Sequence, residues 1–137
     1  MQTIDRKILI VAAVALIDVD GRILISKRPD NKYLGGLWEF PGGKLEINET
    51  LEDCILRELK EELDIDAELH SLYDNYRFKS KDVIYDLYFF KIKKYSGNLL
   101  KTVHDEMKWV ELRDFHHYSF LPGDTPVINK LEKDNKI

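Results

Sequence analysis

The chain has 137 residues, enough for one domain (residues 1–137) around one core, and 44% of them are hydrophobic, which argues against disorder. A net charge of −4 with no long basic run argues against sequence-independent binding to a nucleic-acid polymer. A small anionic substrate stays open, because a bound metal ion reverses the local sign of the field. Ile8 to Val19 is rich in β-branched residues and reads as a strand, Asp20-Gly21 as a hairpin turn, and Arg22 to Lys27 as the returning strand. The apolar run Ile8 to Ile17 is too short to span a bilayer and leads into no signal-peptide cleavage pattern, so no membrane partner is expected. Pro29 to Gly36 has loop composition. Trp38-Glu39-Phe40 is a short extended piece stopped by Pro41-Gly42-Gly43, and Lys44 to Asn48 is a loop. A helix follows as far as about Leu63, with Thr50 and Asp53 placed for a capping box and Asn48 as a competing cap. Ala67 to Phe78 and Val83 to Lys93 alternate as strands, Ser96-Gly97-Asn98 is a turn, and Met107 to Leu112 is a short strand. Thr125-Pro126 opens a last helix whose apolar side is Val127, Ile128 and Leu131. Strands on both sides of a central helix, with another helix at the end, predict an α/β (α+β) fold with a mixed sheet between helices.

The most informative stretch is Gly43 to Ile65. At about 100° per residue, Glu58, Glu61 and Glu62 share one side of the helix. Leu51, Cys54, Ile55 and Leu59 trace its apolar arc, and Glu58 and Glu62 fall inside or beside that arc. A buried bare carboxylate is costly unless it is paired or holds a metal, so a cation is expected here, and a hard divalent ion suits oxygen ligands. Arg57 would fix one carboxylate bidentately. Gly42 and Gly43 let the backbone approach an ion or phosphate closely. Cys54, the only cysteine, excludes an internal disulfide, reads as a small core residue and suits a reducing cytosol, so a cytoplasmic protein is expected.

Gly43, five residues, Glu49, seven residues and then Arg57-Glu58-Leu59-Lys60-Glu61-Glu62 resembles the Nudix box. One position departs: the box usually has Gly two residues after its last Glu, where this chain has Asp64. That residue caps the helix in the left-handed region, which Asp tolerates better than most side chains, so a small stability cost and intact chemistry are expected. Gly36 to Gly43, the hairpin with Arg28, and Leu121 to Ile128 are similar to the corresponding segments of the MutT branch of that family.

The resemblance implies a Nudix fold and an Mg²⁺-dependent (or Mn²⁺-dependent) hydrolase. It would convert a nucleoside triphosphate to monophosphate and pyrophosphate by attack of water at the β-phosphorus. It further implies that Glu58, Glu61 and Glu62 hold the metal with the Gly42 carbonyl, and that Glu49 and Arg57 orient them. Lys44 and Arg28 would contact phosphate or sugar, Phe40 would line the base pocket, and Asp124 would stand where a purine-reading Asn stands in bacterial MutT. An ionised Asp only accepts hydrogen bonds, which suits an N7–H of 8-oxoguanine but not its O6; a raised pKa in a dry pocket would restore a donor. Asp124 is also placed to cap the last helix.

An acid that MutT-like enzymes often carry six residues before a Trp falls on Val103 here, with His104, Asp105 and Glu106 nearby, and Glu61 is an alternative base. His104 reads as an exposed loop residue, and His116 and His117 as surface or hinge residues. The expected activity is house-cleaning of 8-oxo-dGTP. A CTP, dCTP or 5-methyl-dCTP pyrophosphohydrolase is the alternative enzyme, and an inactive ligand-sensing Nudix domain the alternative of another class. The expected partner is a small nucleoside triphosphate, bound by a monomer or small homo-oligomer.

Overall fold

A computed structural model describes residues 7–69, 71–97, 99 and 106–135. Strand β1 (Lys7–Leu16) is the centre of the molecule. Its even residues Ala12, Val14 and Leu16 are fully buried in one apolar cluster, and Ala13 and Ala15 in another. Burial of both faces is why the strand reads as a continuous apolar run rather than an alternation.

The chain then forms β2 (Ile23–Lys27), β3 (Trp38–Glu39), β4 (Gly42–Lys44), helix α1 (Leu51–Leu63), β5 (Asp66–Ala67), β6 (Leu72–Ser80) and β7 (Val83–Ile92). It continues through β8 (Tyr95–Ser96), β9 (Glu106–Val110), 3-10 turns at Leu112–His117 and Pro122–Asp124, and α2 (Thr125–Asp134). The main sheet has the order β4-β1-β7-β6, with β1 parallel to β7 and the other pairs antiparallel. A second sheet, β3-β2-β9, and a two-stranded ladder, β5-β8, complete the architecture. Cys54, Ile55, Leu59 and Leu63 of α1 join the cluster on one side of β1, and Val127 and Leu131 of α2 join the other. The mixed sheet between helices is therefore as the sequence predicts.

Four expectations change, the first being that Gly42–Lys44, expected as a strand stop and the start of a loop, forms β4 on the edge of β1. The turn after β1 is real: the Asp18 carboxylate accepts from the Asp20 and Arg22 amides at 3.0 and 2.8 Å. Yet the chain around the turn pairs through a single bridge, Ile17–Ile23, and β1 and β2 enter different sheets, because β4 and β7 already occupy both edges of β1. The expected strand Ala67 to Phe78 is divided, its start pairing with β8 and its end with β7. The strand expected over Met107 to Leu112 ends at Val110 and passes into a 3-10 turn. In the turn predicted at Ser96-Gly97-Asn98, Gly97 has φ +107°, and Asn98 lies outside the described residues.

Thr50 caps α1, its hydroxyl accepting from the Asp53 amide at 3.0 Å, whereas Asn48 has φ +65° in the preceding loop. Asp64 ends the helix at φ 54°, ψ 44°, its amide donating to the Lys60 carbonyl at 3.0 Å. The Lys60–Asp64 ion pair at 3.2 Å is exposed and adds little. Asp64→Gly is therefore expected to raise unfolding stability by up to about 1 kcal/mol in denaturant titration, since glycine enters the left-handed region without penalty.

Candidate active site

Arg57 organises the loop–helix unit. Its Nε and Nη2 donate to the two Glu49 oxygens at 2.6 and 3.0 Å, and its Nη1 donates to Glu58 at 2.9 Å and to Glu61 at 3.4 Å. Nη2 also reaches the Lys44 carbonyl at 3.1 Å. One guanidinium thus ties β4 and the following loop to successive turns of α1. The Arg57 fork and the Glu46 amide together hold the Glu49 carboxyl down at about 2. The Glu49 hydrogen bond in turn raises the already high pKa of Arg57. Beneath it, the Cys54 thiol lies 3.5 Å from the Lys44 carbonyl and is pushed up to about 11 by burial, as a packed core thiol would be.

Glu58 and Glu62 turn inward, as their place on the apolar arc predicts. A Cβ on Gly43 would lie 2.3 Å from the Glu58 carboxyl, and one on Gly42, which has φ +153°, would lie 2.2 Å from the Ala12 carbonyl oxygen. These glycines let β4 pass between β1 and the carboxylates. Glu62 is pushed up to about 9, first by burial and then by the charge and hydrogen bond of Glu58; the Gly42 amide, donating to Glu62, opposes the shift. Two carboxyl groups side by side in a half-dry site could hold a cation.

Glu61 is different: its side chain is 60% exposed and lies toward Arg57. Among the described residues no three acidic, His or Cys side chains close on one point. A divalent ion here could be held by Glu58 and Glu62 as they stand, with Glu61 joining them only by turning away from Arg57.

Gly42, Gly43 and Lys44 line a cleft of about 460 Å³ that also contains Arg28, Phe40 and Asp124. A hollow of about 510 Å³ between Arg22, Trp109 and His117 includes none of these residues. Lys44 is exposed at the cleft. Arg28 is held by Glu39, with Nη1 at 3.1 and 3.3 Å from its two oxygens, and by the Tyr33 carbonyl at 3.1 Å. Phe40 is 5% exposed and packs edge-to-face on Phe89 at 4.8 Å, so it is both core and cleft wall.

Asp124 is 7% exposed. Among the described residues its Oδ2 is buried with no hydrogen-bond partner, and burial, followed by the charge of Glu39, pushes the carboxyl up to about 8. Its side chain makes no cap bond to α2, so the capping role is not taken up.

Sequence reasoning passed over Glu39, whose charge acts on both Glu62 and Asp124. Its signal was an acid between Trp38 and Phe40, both buried. Phe78 and Tyr85, which stack at 5.0 Å and line the cleft, carry nothing in the sequence that singles them out from the other aromatics of their strands. His116 and His117 are exposed, as expected. Val103, His104 and Asp105 lie outside the described residues, while Glu106 begins β9 and pairs with Lys27 at 3.9 Å.

A family described as "NUDIX domain" matches residues 7–131. An 8-oxo-dGTP diphosphatase of Proteus vulgaris is 41% identical over 95 residues, covering 69% of this chain and 85% of that protein. A CTP pyrophosphohydrolase of Escherichia coli is 31% identical over 120 residues, covering 88% and 89%. Among solved structures, the E. coli ORF135 protein superposes with a TM-score of 0.83 at 30% identity, covering 93% of this chain and 91% of that one.

Proposed function

The chain belongs to the NUDIX domain family of hydrolases, and on that premise we propose that it is an Mg²⁺-dependent nucleoside triphosphate pyrophosphohydrolase whose substrate is 8-oxo-dGTP. The observation that supports this base is the Asp124 carboxyl: buried, kept protonated by that burial, and carrying an oxygen with no hydrogen-bond partner among the described residues, in a residue that lines the same cleft as Gly42 and Gly43. A neutral carboxyl donates through O–H and accepts through C=O, which matches O6 and N7–H of 8-oxoguanine. Such a protein clears a mutagenic nucleotide from the cytoplasm. Among the described residues no helix is long and apolar enough to cross a membrane.

In this mechanism Glu58, Glu61 and Glu62, with the Gly42 carbonyl, would hold Mg²⁺ (Mn²⁺ would serve). When bound, the ion neutralises phosphate charge and lowers the pKa of a coordinated water. The residues of the chain do the rest. Arg57 and Glu49 keep the loop and the carboxylates in place before substrate arrives, which is most of what phosphoryl transfer asks of a protein. Lys44 and Arg28 meet the phosphates and sugar, and Phe40 flanks the base. Glu61, exposed beside Arg57, would take a proton from the attacking water. The new P–O bond forms at the β-phosphorus, the bond to the α,β-bridging oxygen breaks, and the products are a monophosphate and pyrophosphate.

The test is turnover with Mg²⁺ of 8-oxo-dGTP, dGTP, dCTP and 5-methyl-dCTP, following pyrophosphate. Highest kcat/KM for 8-oxo-dGTP supports the proposal. A roughly tenfold preference for dCTP would move the assignment to cytosine nucleotides, the substrate class named for the E. coli relative. Cytosine presents a donor at N4 and an acceptor at N3, so it also complements a neutral Asp124. Absence of turnover by folded protein would indicate a ligand-sensing domain.

A pH prediction follows from Asp124. An ordinary aspartate ionises near pH ~4, whereas the folded carboxyl, facing Glu39 and Tyr76, holds its proton to about 8. Between those values the folded state binds a proton that the unfolded state has released, so the stability contribution of Asp124 falls as pH rises through that window. Asp124→Asn removes this slope. Its melting temperature should exceed that of the parent by a margin that grows from about pH 5 to about pH 8.

A further inference from the structure

Strand β1 is parallel to β7, and parallel strands are as a rule covered on both faces. Here one face of the pair is covered only in part. The even residues of β1 point toward α1, where Ala12, Val14 and Leu16 pack with Cys54, Ile55, Leu59 and Leu63 of the helix. The Cys54 thiol lies 3.5 Å from the Lys44 carbonyl, and Lys44 pairs with Val11, so the start of α1 is level with that residue. The unbroken register carries the same alternation back past the helix to Ile10 and Ile8, beside Asp86 and Ile84 of β7. Ile8, Ile10 and Ile84 belong to neither apolar cluster. Ile8 is 48% exposed, and Ile10 and Ile84 are half-buried. On the β4 side, Leu45 donates its amide to the Ile10 carbonyl at 2.9 Å, and Ile47, two residues on in the loop to α1, is 93% exposed.

The margins of this apolar strip carry opposite charge. On the side of β4 and the first turn of α1 stand Glu46, Glu52 and Asp53, all exposed. On the side of β6, Arg77 and Lys79 are exposed and lie opposite Asp86 and Ile84 on the same face. Asp86 is buried, accepts from Asn75 at 3.0 Å and holds Arg77 at 3.7 Å, which leaves Lys79 as the outer charge of that margin.

We propose that this face is the interface of a twofold homodimer. A strip with an acidic margin on one side and a basic margin on the other complements its own copy when the twofold axis runs along the strands. Each β6 margin then lies over the acidic margin of the second copy, and the isoleucines meet in the middle. An axis across the strands would set like charges together. A lipid surface or a peptide of one charge would match one margin and oppose the other, so a second copy of this chain fits the face best.

Light scattering of the full chain at micromolar concentration should give twice the monomer mass. Ile8→Asp, at the centre of the strip, should give the monomer alone. Val19→Asp, a change at a fully exposed apolar residue beyond the other end of β1, should stay dimeric. Lys79→Glu and Glu52→Lys should each weaken self-association about tenfold, because a twofold interface meets every charge reversal twice. An equimolar mixture of these two variants should recover the parent affinity as a heterodimer, since each altered margin then meets a margin altered the other way. That recovery requires both variants to be folded, so it separates loss of the interface from loss of the fold. A parent that stays monomeric, an Ile8→Asp chain that still dimerises, or a mixture that pairs no better than its parts would each overturn the proposal.

Discussion

Glu62→Gln is expected to lower kcat by about a hundredfold or more while leaving the metal-free protein at least as stable as the parent. The two halves of this result have one cause. Without metal, Glu62 is half-buried, is pushed up to about 9, and shares a hydrogen bond with Glu58. A glutamine has the shape of the protonated acid and brings no charge to desolvate, so the fold loses nothing. With metal, the same site must supply a carboxylate, and an amide oxygen is a poorer ligand for a hard cation. Thermal melting with and without Mg²⁺ reads both effects: the rise in melting temperature on adding Mg²⁺ should shrink sharply in the variant. An unchanged Mg²⁺-dependent rise together with unchanged kcat would remove Glu62 from the metal site.

Arg57→Lys is expected to lower kcat by about 10–100-fold although the charge is kept. An ammonium cannot reproduce the fork on Glu49 and at the same time reach Glu58, Glu61 and the Lys44 carbonyl. Glu58 and Glu61 would lose their fixed orientation, so the loss should fall on kcat more than on KM. Acid stability reports the same change. The Glu49 carboxyl, held at about 2, contributes stability that is present above its ordinary pKa near ~4.3 and is lost as pH falls through about 2. With lysine at position 57 the depression weakens, and the acid-unfolding midpoint should move to higher pH. A kcat within twofold of the parent would show that the carboxylates are oriented by their own packing.

What could be read from the sequence was set by local physics. Helix α1 has a one-sided apolar arc, a capping Thr50 and a left-handed Asp64, all visible in consecutive residues. The inward turn of Glu58 and Glu62 followed from the same arc. Pairing between distant strands has no such local signature. Nothing near Asp20-Gly21 indicates that β1 will be claimed on both edges by strands from elsewhere, so a simple hairpin was the natural expectation. Likewise, the break after Ala67 depends on β8, far along the chain, taking Asp66 and Ala67 as partners. The state of Asp124 belongs to the same class. Its residue type was plain, but its neutrality depends on burial and on Glu39, neither of which is local in the chain. Sequence reasoning could name the donor problem at that position but had no local means of solving it.

The double-sided burial of β1 has a consequence for synthesis on the ribosome. The strand is made early, yet its long parallel partner is completed only at Ile92. A nascent chain halted before Val83 therefore carries an apolar ribbon with one margin bare, the kind of surface on which growing chains stick to one another and holdase chaperones bind. Release of the finished β7 closes that margin, so translation speed through Val83–Ile92 sets how long each new molecule stays at risk.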